Sequence, residues 1–272
     1  MARHNDFSKW GDVAARMMTY LLLFVIGCQT QNVAGQEYHG TTGLLHAPSA
    51  ETDSAGTFRG GFAYFDRAFL PPLMPDHNSF GYSIGITAFP WVEISYCATM
   101  LWMHMNGKQN QPMGFYNEDR RVNVKLRPLK EGKWWPAVAV GWDDLGSLRI
   151  FQINKGLSTS SYFENIYLVC SKTFDIKGFK LGAHLAYRYY SSDVNSVRRG
   201  VAGGITFVPR LGASLQGPRA WLQRPRLIVE WDGVGVNVGG DVLLWRHLFI
   251  QVALIHGTGF MGGLTYHYTI KF

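Results

Sequence analysis

Charged residues are scarce in this chain. Asp, Glu, Lys and Arg together make up 17% of its 272 residues, against about 25% in an average soluble domain. Long apolar runs are absent as well. No stretch reaches the ~20 consecutive apolar residues of a membrane-spanning helix, and the mean hydropathy is -0.05. A helical membrane bundle is thereby excluded. Cysteine is limited to Cys28, Cys97 and Cys170. There is no C-x-x-C or H-E-x-x-H spacing, and the histidines are dispersed, so no metal site is expected. Cys97 and Cys170 would bridge only if their strands approach; otherwise they are small strand residues. Basic residues outnumber acidic ones, 26 to 19, but no run of four occurs. That pattern argues against a nucleic-acid partner and leaves acidic lipid head groups or polysaccharide open.

What is abundant is aromatic residues, at 14%, and glycine, with 31. Disorder, coiled coil and collagen do not fit this composition. Few charges, many aromatics and many glycines suit an all-β chain, and one all-β class lives in membranes.

The N-terminus carries an apolar run of about ten residues, Met17 to Ile26, behind Arg3, Lys9 and Arg16. It is too short to span a bilayer as a helix and has the length of a signal-peptide core. Two processing routes stay open. Val25-Ile26-Gly27-Cys28 resembles a lipoprotein box, making residues 1–27 the signal and Cys28 the lipidated residue. Val33-Ala34-Gly35 is a small-residue cleavage site, making the signal 1–35. Either route exports the mature chain.

Beyond residue 50 the pattern has period two, the repeat of a strand whose alternate side chains face opposite sides. Phe179, Leu181, Ala183, Leu185, Tyr187 and Tyr189 alternate with Lys180, Gly182, His184, Ala186 and Arg188. Leu264, Tyr266, Tyr268, Ile270 and Phe272 alternate with Thr265, His267, Thr269 and Lys271. This last stretch resembles the C-terminal strand of bacterial outer-membrane barrels, through which the barrel-assembly machinery would be engaged. About twelve strands are expected, over 56–66, 79–89, 91–103, 119–129, 134–143, 162–175, 178–190, 200–208, 225–232, 234–245, 247–256 and 261–272. The expected fold is an all-β, antiparallel transmembrane β-barrel over 56–272, with an even strand number that puts both ends on one side. The segment 209–224, with Pro209 and Pro218, breaks the alternation of long and short connections.

Residues 36–55 precede the first strand. Gly40 and Gly43 permit tight or left-handed backbone, Pro48 presets a turn, and Ser49 hydrogen-bonds nearby backbone. This is either a plug folding into the periplasmic mouth of the barrel or a simple lead-in. The segment reads G-T-T-G-L-L-H-A-P-S-A-E-T-D-S-A-G-T-F-R-G-G-F over Gly40–Phe62. Further on come P-A-V-A-V-G-W-D-D at 136–144, Y-L-V-C-S-K-T-F at 167–174 and V-E-W-D-G-V-G-V-N-V-G-G-D-V at 229–242. Together these resemble the YjbH-like family of outer-membrane proteins linked to exopolysaccharide biosynthesis. The resemblance implies an outer-membrane barrel acting in polysaccharide secretion or modification. It brings no catalytic constellation and no cofactor, and it implies outer-membrane lipid and polysaccharide-export proteins as partners.

On the expected strands the polar face points into the lumen. It holds Arg59, Glu93, Arg121, Lys125, Arg127, Asp143, Lys180, Arg188, Glu230, Asp232 and Asp241. Charges in a narrow bore must pair or stay wet. The expectation is a structural network in which Arg121, Lys125, Lys180 and Arg188 find partners among Asp143, Glu230, Asp232 and Asp241. The alternative is a glycan groove with Trp135, Trp142 or Trp231 offering a face to sugar rings. A barrel phospholipase would need a His–Ser pair. His77 and Ser79 have that spacing, but at a loop–strand junction behind Pro71, Pro72 and Pro75. Asp143 and Asp144 are adjacent, so both should not face one lumenal site. A passive porin and a barrel enzyme remain the competing readings to a non-enzymatic assembly role.

The last strand makes one testable claim. Replacing Tyr268 and Phe272 with Ser should reduce membrane insertion while sparing export, read as loss of the heat-shifted band on a gel without loss of secreted chain. Normal insertion would remove the terminal-strand argument.

Overall fold

The computed structural model describes residues 35–71, 77–145, 162–190, 193–210 and 221–270. Twelve antiparallel strands form one closed barrel. They are β1 (Thr57–Phe65), β2 (Ser79–Phe89), β3 (Val92–His104), β4 (Met113–Leu129), β5 (Ala137–Asp143), β6 (Asn165–Ile176), β7 (Phe179–Tyr190), β8 (Gly200–Pro209), β9 (Leu222–Trp231), β10 (Val236–Leu244), β11 (Leu248–Ile255) and β12 (Gly259–Thr269). Each pairs with its sequence neighbours, and β1 pairs with β12 from Thr57↔Thr269 to Phe65↔Met261. Closure gives every strand a hydrogen-bonded neighbour on both sides.

The alternation in the sequence becomes inside and outside in the wall. On β7, Leu185, Tyr187 and Tyr189 are exposed while His184, Ala186, Arg188 and Tyr190 are buried. The polar set faces in and the apolar set faces out, the reverse of a soluble barrel. Ile84, Leu185 and Leu227 are all more than half exposed at 62%, 63% and 61%. A continuous apolar exterior of this kind is a lipid-facing surface. At the end holding the first and last strand termini, Phe89, Trp91, Trp134, Trp135, Trp221 and Trp245 stand exposed at the turns. This is the aromatic girdle of a membrane–water boundary, where an apolar ring meets a polar edge.

At this terminal end the β2–β3, β6–β7 and β10–β11 turns are short. Gly178, at φ 96, closes the β6–β7 turn, a conformation most residues avoid. Three residues separate β10 and β11, and Trp245 and Arg246, at φ 47 and 67, are the central pair of a turn closed by the His247 N–H donating to the Leu244 carbonyl at 3.0 Å. Two positive φ values in succession match the right-handed twist of the flanking strands.

Strand bounds differ from expectation mainly at β4, which starts at Met113 rather than 119, and at β9, which starts at Leu222. Both extensions are mixed in polarity, so alternation does not reveal them. The proline-bearing connection of 211–220, the signal segment with Cys28, and Phe272 lie outside the described residues. Cys97 is buried in the lumen and Cys170 sits on the outer face, both as free thiols. They occupy opposite faces of the wall.

Leu185 is near the middle of β7. Leu185→Arg should lower folding stability in a bilayer by about 2–4 kcal/mol, the cost of a cation at the midplane of a lipid face. Denaturant titration in vesicles reads this, and an unchanged midpoint would mean that this face does not meet lipid.

Candidate functional site: a polar plug in the lumen

Gly35 to Ala50 are buried without exception. The segment folds back twice, through isolated bridges Gln36↔Thr42 and Gly43↔Pro48, and fills the barrel interior. Its motif residues explain the path. Gly40 turns at φ 79, and a Cβ there would lie 2.9 Å from Cys97 Sγ. A Cβ on Gly43 would meet Glu37 Cβ at 2.6 Å. Pro48 closes the second return, and Ser49 Oγ accepts the Glu51 N–H at 3.3 Å.

Wall carboxylates hold the plug by its backbone donors. Glu230 on β9 accepts the N–H groups of Leu45, His46 and Ala47 at 3.0, 2.9 and 3.0 Å, and the Asn237 side chain at 2.8 Å. Three successive amides converging on one carboxylate make a small anion-binding nest. Glu93 on β3 accepts Thr42 N–H at 3.0 Å and Asp53 N–H at 3.1 Å, and pairs with Lys125 at 3.0 Å. Wall cations hold the plug by its carbonyls. Lys125 donates to Thr42 O at 2.6 Å, and Arg226 donates to Gly43 O at 3.0 Å while pairing with Asp241 at 2.6 Å. The His39 carbonyl alone accepts from Ser95, Cys97 and Asn123 at 2.7, 2.8 and 2.7 Å.

The end opposite the termini is closed by rings. Tyr38 lies 4.6 Å from Phe65, 4.9 Å from Phe69 and 5.2 Å from Phe163 between ring centroids. Arg121 stacks over Phe163 at 4.0 Å and Tyr38 at 4.6 Å. Leu44 and Leu45 pack into the same cluster. An interior cavity of about 40 Å³ remains beside Gln36, Glu37 and Arg121.

The plug's own ionisable groups are tuned by burial. His46 is pushed well below the usual imidazole range by burial and then by Arg198 and Arg188. The neutral ring agrees with the geometry, since Arg188 Nη1 donates to His46 Nδ1 at 3.0 Å. His39 is lowered in the same way, by burial and then by Arg121. Burial, then Asp143, pushes the Glu37 carboxyl up. Burial disfavours the charged form at all three positions, which limits the cost of unpaired charge in the plug.

Several sequence expectations need correction. Lys125 pairs with Glu93, Arg121 with Asp119 at 3.6 Å, and Asp241 with Arg226. Arg188 reaches His46 and the Asp232 carbonyl, whereas the Asp232 carboxylate pairs with Arg198 at 3.6 Å and His256 at 3.1 Å. Asp143 meets His39 at 3.7 Å and Asn165 at 2.7 Å. Among the described residues, Lys125, Arg121 and Asp241 take wall partners on the same or an adjacent strand instead of the expected cross-pairs, while Arg188 and Asp232 take plug and loop groups. Lys180 is exposed at the terminal end and Arg127 is half-buried at the rim, donating to the Pro90 carbonyl at 2.7 Å. Trp135, Trp142 and Trp231 lie on the outer side of the wall, not in the lumen. Asp144 is buried along with Asp143, because its φ of 61 ends the strand alternation and turns it back inward. Ser79 donates to the Met100 carbonyl, and the His77 ring packs 4.9 Å from Trp102. Arg198, Arg226, Glu37, His39 and His46 escaped the sequence reading; Arg226 sits at a pattern position directly after Pro225 and was within reach.

Glu230→Leu strips four donors of their acceptor inside the barrel. We expect a loss of about 3 kcal/mol or more, since hydrogen bonds to a charged group contribute ~1.5–3 kcal/mol each. Faster hydrogen exchange at Leu45–Ala47 and a lower denaturation midpoint in micelles check this, with Glu230→Gln losing less. Unchanged exchange would show that the plug is held elsewhere.

A family model described as exopolysaccharide biosynthesis protein YbjH matches residues 35–201. The uncharacterized lipoprotein YjbH of Escherichia coli (strain K12) is 25% identical over 167 residues, covering 59% of this chain and 20% of that protein's length. Among solved structures, the beta domain of the Bordetella autotransporter BrkA is 13% identical, over 80% of this chain and all of that one, with a TM-score of 0.33. A mutant Rh. blastica porin is 11% identical, over 78% of this chain and 98% of that one, with a TM-score of 0.26. The family match begins at the first described plug residue and runs through β7 to the start of β8. This chain belongs to the YjbH family of exopolysaccharide biosynthesis proteins.

Proposed function

We propose that this protein is a plugged barrel of the bacterial outer membrane that assists exopolysaccharide biosynthesis, secretion or assembly without catalysing a reaction itself. The observation that carries the reading is the plug. The family match includes it, and its donors and acceptors are consumed by the wall. A passive porin needs a water-filled bore. Here sixteen consecutive residues, Gly35–Ala50, are buried in the lumen, which favours a scaffold or gated partner over a sieve. The E. coli relative is named a lipoprotein, and Cys28 is proposed to carry a similar anchor. Partners on this reading are outer-membrane lipid, the barrel-assembly machinery and polysaccharide-export proteins.

Deleting the gene should alter the amount or texture of cell-surface or released polysaccharide. Complementation with a His77→Ala, Ser79→Ala double variant should restore it. Failure of that variant, with the barrel inserted normally, would favour an enzyme. Unchanged polysaccharide with reduced uptake of small solutes would favour a porin.

A further inference from the structure

A group of exposed cations lies at one side of the terminal end. The turns β4–β5 and β6–β7 and their flanks carry Lys130, Lys133, Lys177 and Lys180, all exposed. Two carboxylates lie among them, and each is already engaged. Glu131 accepts the Thr173 N–H at 2.9 Å and faces Lys172 Nζ at 3.3 Å, while Asp175 pairs with Arg210. None of the four lysines makes an ion pair among the described residues. They form a cationic rim whose two carboxylates, Glu131 and Asp175, are already paired with Lys172 and Arg210.

Between the two turns runs an open groove of about 740 Å³. Its floor is Phe174, Ile176 and Leu181, and its edges are Lys133, Lys172 and Trp134. Trp134 is 82% exposed, the highest among the large hydrophobic side chains, with Lys133 Nζ 5.1 Å from its ring centroid. A second groove of about 450 Å³ continues onto the outer wall and shares Lys172. It passes Pro136, Ala183, Leu185, Gly203 and Ile205. Cationic rim, indole at the boundary and apolar trough thus follow one another along the barrel axis.

That sequence is the profile of a single amphiphile with an anionic head. A polyanionic sugar chain would satisfy the lysines but leave Phe174, Ile176 and the wall trough uncovered. We propose that this face binds an anionic phospholipid of the surrounding leaflet, with its phosphate among Lys130, Lys133 and Lys177 and an acyl chain along the groove to Gly203. The site rests on the membrane reading above. Lys172 is not a free ligand in it, because its ammonium donates to the Gly132 and Lys133 carbonyls at 2.5 and 3.1 Å and holds the β4–β5 turn.

The test uses the full chain in nanodiscs of phosphatidylcholine alone or mixed with phosphatidylglycerol, with retained lipid counted by native mass spectrometry after release into detergent. Wild-type protein should retain phosphatidylglycerol in preference to phosphatidylcholine. The Lys130→Gln, Lys133→Gln, Lys177→Gln variant should lose that preference by about tenfold or more, as expected when surface cations that attract anionic lipid are removed. Ala183→Phe, which fills the trough from an exposed position on β7 and leaves the lysines in place, should weaken retention independently. Equal retention of the two lipids by wild type, or wild-type retention by the triple variant, overturns the site while leaving the membrane barrel intact. Displacement of the lipid by soluble oligogalacturonate would assign the lysines to a polysaccharide and overturn it as well. Failure of wild type to enter nanodiscs as a heat-modifiable barrel would remove the membrane reading and the site with it.

Discussion

Everything inside this barrel depends on one constraint: an ionised side chain removed from water must meet an opposite charge or a set of hydrogen-bond donors. The wall places Arg59, Glu93, Arg121, Lys125, Arg188, Arg226, Glu230 and Asp241 in buried positions. Their neighbours on adjacent strands satisfy only part of that demand. The plug supplies much of the remainder with its backbone, since peptide groups carry both a donor and an acceptor at every residue. Glu230 is the plainest case, a carboxylate held by three consecutive plug amides. Plug and wall are therefore one polar structure.

The exterior follows from the same accounting in the opposite sense. A closed ladder of twelve strands pairs the backbone from strand to strand around the wall, so the outer side chains need no polar function and are apolar. Tryptophans at the terminal-end turns mark where lipid gives way to water. The lysines just beyond them are the counterpart of the lumenal charges: cations kept at the boundary, where water and head groups neutralise them at little cost. Inside, charge is paired by protein; at the rim it is left for the surroundings.

The plug, residues 35–50, packs the lumen and leaves little open bore while it is seated. Its fastening by backbone amides, rather than by one dominant side-chain pair, distributes the attachment over β3, β4 and β9. Displacing it would leave the wall's cations and anions facing an open bore, so that any displacing partner must bring water or polar groups of its own.

The sequence by itself determined the barrel. Period-two alternation over nearly every strand reports which side each residue takes, because the pleat imposes it locally. The motif glycines Gly40 and Gly43, with Pro48, likewise announced an unusual backbone. What the alternation does not carry is who meets whom. Lys125 pairs with Glu93 because β3 and β4 are adjacent in a register of Glu93↔Lys125. Arg188 instead meets His46, more than a hundred residues away in sequence, only because the plug turns there. Asp144 faces inward through a single positive φ that residue type alone does not specify. Side is a property of the strand, legible residue by residue; partnership is a property of closure and of the plug's path, and only the tertiary structure decided it.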